Sequence, residues 1–324
     1  MDVKEALLDR MVEARGDFTS GESLSEELGI SRNAVSKAAS QLREAGFTIE
    51  SRRKMGYRLT EHNLRCPTKC IRQYLKSDGF SFVTSDSVIS TNTALRELAS
   101  DGACEWTVFL AGEQTGGRGR CGKTFFSPRG TGVYMSILLY PSLTASDARL
   151  ITTCAAVAVC RAIEKVCDKK PLIKWVNDIY IGNKKVCGIL TEGAFNAETG
   201  SLSHAILGIG INLFPPREGF GTLTGIAGTV LKDEKNAWDV KGQLVAAICD
   251  NFRPLYEKLP DTGFFEEYRE RSYLSGKKIE VIRNGEGRSA VALEIGGDLR
   301  LHVRYGDGSE EWLDSGEVSV KPEL

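Results

Sequence analysis

Apolar residues recur at helical spacing from Val3 to Arg15, where Ala6, Leu7, Met11 and Val12 share one face. After Gly16 and a polar stretch to Gly21 come Ser23 to Leu28 and the turn Gly29-Ile30. Ser31 is a good N-cap for a second amphipathic run, Arg32 to Ala45, and Gly46 a good residue just past its end. Val35, Ala38 or Ala39, and Leu42 form its buried stripe, which leaves Arg32, Asn33, Ser36, Lys37, Gln41 and Arg43 facing outwards. Two short runs, Phe47 to Ser51 and Gly56 to Thr60, then flank Arg52-Arg53-Lys54. Helix, glycine turn, basic helix and cationic hairpin predict a winged helix-turn-helix over residues 1–62.

The pattern then changes. A connecting segment, 62–78, holds a short helix near Thr68 to Leu75, and Phe80 to Thr84 has strand character. Ser90-Thr91-Asn92 precedes a helix from Thr93 to Ser100. Apolar strands at Trp106 to Ala111 and Val133 to Tyr140 lead into a long alanine-rich helix, Ala145 to Val166. Strand-like runs at Leu172 to Ile181, Val186 to Glu192 and His204 to Leu213 follow. A loop from Pro215 to Gly228, a helix from Ala237 to Leu259 and a shorter one at Phe264 to Arg271 complete an α/β unit, 63–273, with a mixed sheet. From Gly276 only short strands remain, at Lys278 to Ile282, Ser289 to Ile295, Leu299 to Tyr305 and Glu311 to Val320. Turns at Asn284-Gly285, Gly296 to Asp298 and Gly306 to Gly308 predict a small antiparallel barrel over 274–324. The fold class expected is α+β in three units.

The net charge of −1 over 324 residues hides a local segregation. Residues 1–30 carry three Lys/Arg against eight Asp/Glu, whereas residues 31–60 carry seven against two. The excess positive charge coincides with the second helix and the wing, which favours DNA binding through Ser31, Arg32, Asn33, Ser36, Lys37, Arg52, Arg53 and Lys54 over a merely solvated cap. The N-terminus has no signal-peptide core, and no apolar run reaches membrane-spanning length. Nine scattered cysteines fit free thiols in the cytoplasm, and Cys66/Cys70 as the only close pair leaves no structural zinc expected.

Candidate chemistry concentrates between the strands. Gly116 to Gly122 contains four glycines in seven residues, with Arg118, Arg120 and Lys123 and no carboxylate. Backbone N–H groups and arginine forks suit phosphate or a charged adenylate, although the spacing is neither a Walker loop nor a dinucleotide fingerprint. Ser90, Thr91 and Asn92 either cap the following helix, the reading the residues alone favour, or bind a neutral polar ligand. Lys174, Asn177 and Asp178 interrupt an apolar run, where they either form a tight turn or serve phosphate and Mg²⁺. Gly208 and Gly210 in a strand allow a ligand close to the backbone.

In order, the winged helix, Gly117-Arg118-Gly119-Arg120-x-Gly122, Lys174-Trp175-x-Asn177-Asp178, Lys185-x-x-Gly188-Ile189-Leu190, Gly208-x-Gly210-Ile211-Asn212 and a C-terminal barrel ending Ser315-Gly316-Glu317-Val318 resemble the bifunctional biotin–protein ligase/biotin operon repressor family. The resemblance implies a biotin/lipoate-ligase-type central domain and an SH3-like barrel. It implies an enzyme that joins biotin to ATP with Mg²⁺, then passes biotin to a lysine of a biotin carboxyl carrier domain. It implies operator DNA as a second partner and a homodimer when adenylate is bound. Biotin contacts carry over to Ser90, Thr91, Asn92, Gln114, Arg118, Gly119, Arg120, Lys185 and Gly188, and adenylate contacts to Arg118, Arg120, Lys123, Phe125, Asn177 and Asn212. Lys185, Arg120 and Lys174 are the implied catalytic residues, and Asn177 and Asp178 the implied metal ligands. Val176 stands where the family usually has proline, Phe125 where it often has tryptophan, and Val35-Ser36-Lys37 lacks the aromatic often found beside that lysine. A lipoate- or octanoate-transferring relative and a non-enzymatic ligand-sensing transcription factor are the competing readings. The metal-phosphate set argues against the sensor.

Overall fold

A computed structural model describes residues 2–14, 16–44, 47–60, 68–144, 147–195, 202–232, 239–283, 285–314 and 319–322. Arg15, Ala45, Gly46, Cys66, Ala145, Ala237, Asn284 and the 315–318 motif, all used above, lie outside the described residues.

Three helices, α1 (Val3–Glu13), α2 (Gly21–Leu28) and α3 (Arg32–Glu44), precede a hairpin of β1 (Ile49–Arg52) and β2 (Gly56–Leu59). Asp2 and Ser20 accept the orphan N–H groups at the starts of α1 and α2, and Gly29 ends α2 in the left-handed region at φ 65°. Leu7, Met11, Leu24, Val35, Ala39, Leu42 and Leu59 bury against one another as a small separate core. Thr19 exchanges both backbone hydrogen bonds with Tyr57, which ties the wing to the loop before α2. The short helix α4 (Thr68–Arg72) follows, with Cys70 in this core and Ile71 in the next.

The central unit comprises β3 (Ser81–Val88), α5 (Thr91–Ser100), β4 (Thr107–Gln114), β5 (Gly132–Leu139), α6 (Ala148–Cys167), β6 (Leu172–Lys174), β7 (Asp178–Ile181), β8 (Lys184–Phe195), β9 (Leu202–Asn212), α7 (Val240–Tyr256) and α8 (Phe265–Glu270). The strands form one sheet in the order β3-β4-β5-β9-β8-β7-β6, parallel at β3/β4 and antiparallel elsewhere. Alternation sorts the side chains. Val133, Met135, Ile137 and Leu139 join the core with α6 and α7, while Leu138 packs with Phe109, Ile206 and Leu95 of α5 on the opposite face. Because α5 is only ten residues long, it covers part of that face. The expected strand Leu172 to Ile181 is instead a hairpin that turns at Trp175 to Asn177, because its polar residues favour reversal.

Five antiparallel strands close the chain: β10 (Lys278–Arg283), β11 (Glu286–Ile295), β12 (Leu301–Tyr305), β13 (Glu310–Leu313) and β14 (Ser319–Pro322). Their order is β13-β12-β11-β10-β14, so the single strand expected over Glu311 to Val320 is two strands on opposite edges. Ile279, Val281, Ala292, Val303 and Leu313 merge with the central core. Trp175 Nε1 donates to the Leu299 carbonyl at 2.9 Å, and Tyr268 Oη donates to the Val176 carbonyl at 3.0 Å. The turn that carries the Lys174–Asp178 motif is thereby anchored to the C-terminal unit. Among the described residues no helix is long and apolar enough to cross a membrane. Burial pushes the Cys154, Cys160, Cys187 and Cys249 thiols far up, so they behave as apolar core groups.

Trp175→Phe keeps most of the ring volume but leaves the Leu299 carbonyl without its donor. The expected result in urea unfolding is a loss of about 1–3 kcal/mol. An unchanged midpoint would show that the indole hydrogen bond does not hold the turn.

Candidate active site

On the face of the sheet that α5 leaves open lies a cavity of about 510 Å³. Its floor is a patch without side chains: Gly188 of β8 sits opposite Gly210 of β9, and Gly208 opposite Leu190. The Phe125 ring lies on this floor, so close to Gly210 that a Cβ there would overlap the ring. Gly208 is likewise required by the Asn92 side chain, which occupies the space a Cβ would take.

One end of the cavity is a network of uncharged groups. Ser136 Oγ lies 2.7 Å from Thr91 Oγ1 and 2.6 Å from Asn92 Oδ1, so its one proton serves these two acceptors between them. Gln114 Oε1 accepts from the Thr91 N–H at 2.9 Å, and its amide nitrogen donates to Ser127. Ser90, Thr91 and Asn92 are each only 4% exposed. Ser90 occupies the N-cap position of α5, yet its side chain makes no capping bond, and Thr91 and Asn92 lie within the helix. The capping reading therefore fails. The Ser90 hydroxyl lines the cavity with no protein partner among the described residues.

The middle and far end are charged. The glycine loop between β4 and β5 is folded back on itself, with the Gly119 N–H donating to the Lys123 carbonyl at 2.7 Å and the Phe125 N–H to the Gly117 carbonyl at 2.8 Å. Arg120 donates to Asn177 Oδ1 at 3.1 Å, and Asn177 Nδ2 donates to the Ile189 carbonyl at 2.8 Å. Lys185 pairs with Asp178 at 2.6 Å. Lys174 stands 5.8 Å from the Tyr180 ring centre, and Lys123 also lines the cavity. Every residue expected to bind biotin or adenylate lines this cavity. Asn212, one of these, also donates to the Gly228 carbonyl at 3.2 Å and so holds the 214–228 loop.

Asn177 and Asp178, expected to hold a metal, both engage protein groups here. Both ends of the Asn177 amide are bonded to protein groups, and the carboxylate beside it is paired with Lys185. Among the described residues no group of three or more His, Cys, Asp or Glu gathers. A Mg²⁺ ion at this site would be held mainly by substrate phosphates. Phe125 lies on the glycine floor, while Phe126 stands outside it, 6.4 Å from the Phe220 ring in an edge contact.

Several lining residues were not singled out from the sequence. Phe220, Leu223 and Ile226 project from the 214–228 loop, with Leu223 and Ile226 exposed. Their spacing of three within a glycine-rich loop was an available signal. Tyr273, which stacks on Tyr180 at 4.7 Å and donates to Asn183, reaches the cavity from the segment after α8 and had no local signal. In the N-terminal unit, Asn33, Ser36, Lys37, Arg53 and Lys54 are exposed as expected. Ser31 accepts from the Ala34 N–H at 3.2 Å, Arg32 pairs with Glu22, and Arg52 is held by Glu50 beside the Phe18 ring.

Residues 85–212 match the biotin/lipoate A/B protein ligase family, and residues 4–58 match an HTH domain. The bifunctional ligase/repressor BirA of Bacillus subtilis (strain 168) is 38% identical over 213 residues, 65% of each chain. That of Escherichia coli (strain K12) is 33% identical over 204 residues, 62% of this chain and 61% of its own. The alignment thus spans just under two thirds of these relatives. The biotin protein ligase of Aquifex aeolicus in complex with biotin and ATP has the same fold, with a TM-score of 0.60 at 24% identity over 75% of this chain and 99% of that one. Over residues 85–212 the chain is thus similar to the biotin/lipoate A/B protein ligase family, with a match to a helix-turn-helix domain ahead of that segment.

Proposed function

We propose that this protein is an ATP-dependent biotin–protein ligase that also binds operator DNA as a biotin-responsive repressor. The observation that carries the reading is one cavity with two chemically distinct ends, bridged by a cationic glycine loop. The buried uncharged network of Ser90, Thr91, Asn92 and Gln114 suits the ureido head of biotin, a neutral group rich in donors and acceptors. The glycine floor suits the thin ring and tail. The acid end then meets Arg118, Arg120 and Lys185.

Adenylation joins two anions: a biotin carboxylate oxygen attacks the α-phosphorus of ATP, and pyrophosphate leaves. Lys185 and Arg120 lower the repulsion, and Lys174 and Lys123 supply further positive charge for the phosphates. Mg²⁺ enters as MgATP. Phe220, Leu223 and Ile226 offer apolar surface to the base. In the second step the amine of an acceptor lysine attacks the acyl carbon, AMP leaves, and the amine proton is lost to solvent. We assign the acceptor as a biotin carboxyl carrier domain, the working units as 1–62, 63–273 and 274–324, the location as the cytoplasm, and the repressing form as an adenylate-bound homodimer.

Pyrophosphate release from MgATP should require biotin and not respond to lipoate. Release with lipoate alone moves the protein to the sister activity, and release with neither returns it to a sensor. Operator DNA should be bound at least roughly tenfold more tightly with biotin and ATP than without, read by electrophoretic shift. Equal binding in the two conditions removes the repressor half of the proposal. Gly208→Ala places a methyl where the Asn92 amide now lies and disrupts its bond to Ser136. Biotin affinity by calorimetry should fall about tenfold or more. Gly297→Ala, which adds its methyl to open space, should leave affinity unchanged.

A further inference from the structure

Behind the glycine loop, on the side of the α6 N-terminus, lies a second cavity of about 540 Å³, open to the outside. Arg118 and Arg120 line both cavities, so the loop is the partition between them. Glu192 near the end of β8 lines the second cavity and not the first. Its Oε2 nevertheless gathers three donors: Asn92 Nδ2 at 2.7 Å, Arg96 at 3.2 Å and Arg118 at 3.3 Å. The guanidinium of Arg118 also donates to Thr93 Oγ1 at 3.0 Å. One carboxylate oxygen therefore joins the partition to α5 and to the strand that carries the glycine floor.

We propose that Glu192 is a positioning residue that latches the glycine loop shut through Arg118, so that the activated intermediate is shielded from the second cavity. The inference rests on the ligase reading above. A loop containing Gly116, Gly117, Gly119 and Gly122 has little intrinsic reason to hold one conformation, since each glycine adds backbone freedom. Its internal backbone bonds shape it and Arg120 ties it to Asn177, while Arg118 is the loop side chain that meets a carboxylate, Glu192, and Thr93 of α5. The same Glu192 oxygen orients Asn92, leaving Asn92 Oδ1 to accept from Ser136 and fixing which end of the amide faces each partner. A mixed anhydride survives only while water is kept from its acyl carbon, and a loop clamped by Glu192 provides that barrier.

The test is the lifetime of the intermediate. Purified full-length protein is loaded with biotin and MgATP, excess ligand is removed, and release plus hydrolysis of the bound adenylate is followed by single-turnover chromatography. Glu192→Gln should shorten the lifetime about tenfold, the consequence of losing one charge-assisted contact. The unfolding midpoint should be unchanged, and trypsin should cut faster after Arg118 and Arg120 in the ligand-free protein. Glu192→Asp, which keeps the charge with shorter reach, should be intermediate. Arg118→Gln and the Glu192→Gln/Arg118→Gln double variant should have the same lifetime, because the latch acts through that arginine. A wild-type lifetime in Glu192→Gln, or additive losses in the double variant, overturns the latch. Failure of the wild-type protein to form adenylate from biotin overturns the ligase reading instead.

Discussion

Everything at the site depends on the sheet having a bare patch on one face. Gly188, Gly208 and Gly210 are neighbours across β8 and β9, and strand alternation points all three positions the same way. The residues between them, Cys187, Ile189, Ile209 and Ile211, point the other way and are buried beneath α6 and α7. The sheet can thus lose three side chains on its ligand face without losing its core. Each glycine within a strand costs about 0.5–1 kcal/mol. The buried residues on the opposite face offset that cost, since a fully buried aliphatic side chain contributes about 1.5–3 kcal/mol. The patch admits Phe125 and Asn92 now, and it sets the depth to which any ligand can sink.

The second constraint is charge. Arg118, Arg120, Lys123, Lys174 and Lys185 line one cavity, and without counter-charges they would push the loop away from the sheet. Two carboxylates answer them from opposite sides, Asp178 on Lys185 and Glu192 on Arg118. Both pairs keep some solvent access, so neither carries the desolvation cost of a sealed ion pair. The pairs are also unequal in role. Lys185 faces the ligand cavity beside its partner, and an incoming phosphate competes for it, whereas the Glu192 pair lies behind the loop. On the proposed reading, a cationic site arranged this way can exchange protein carboxylate for nucleotide phosphate at one lysine while the wall stays in place.

Much of this was legible in the residues, for reasons that differ from place to place. The N-terminal unit was readable because its caps, glycine turn and apolar stripe are local signals, and Ser31 and Gly29 act as their chemistry directs. The Ser90–Asn92 segment misled because its composition suits a cap. Only the burial of all three, and the approach of Ser136 and Gln114 from other strands, places them in the wall of the cavity. Asn177 and Asp178 had a turn reading and a ligand reading that seemed exclusive, yet the turn is what brings them to the cavity. Glu192 and Tyr273 could not be found in the sequence. Their partners lie about 100 positions away for Asn92 and 90 for Asn183, and nothing local distinguishes either residue from a solvated strand or linker side chain.

The junction between the helix-turn-helix unit and the central unit limits how one can speak to the other. Cys70 and Ile71 are consecutive, fully buried, and belong to different cores. Lys69 reaches back to Asp9 and Glu13 of α1, each at 3.1 Å, and Gln73 donates forward to Asp239 at 2.8 Å. A five-residue helix is thus fastened at both ends. Swinging the helix-turn-helix unit would expose Ile71 or Cys70, and the isoleucine alone costs about 1.5–3 kcal/mol. A ligand shifts a conformational equilibrium only by its difference in affinity for the two states. The cavity contains no side chain of α4, so occupancy has no direct lever on this junction. On the proposed reading, control of DNA affinity by adenylate is therefore better served by surfaces that line the cavity itself, the glycine loop and the 214–228 loop. If those surfaces bring two chains together, two helix-turn-helix units meet the operator at once, and affinity rises through effective concentration while each stays fixed to its own central unit.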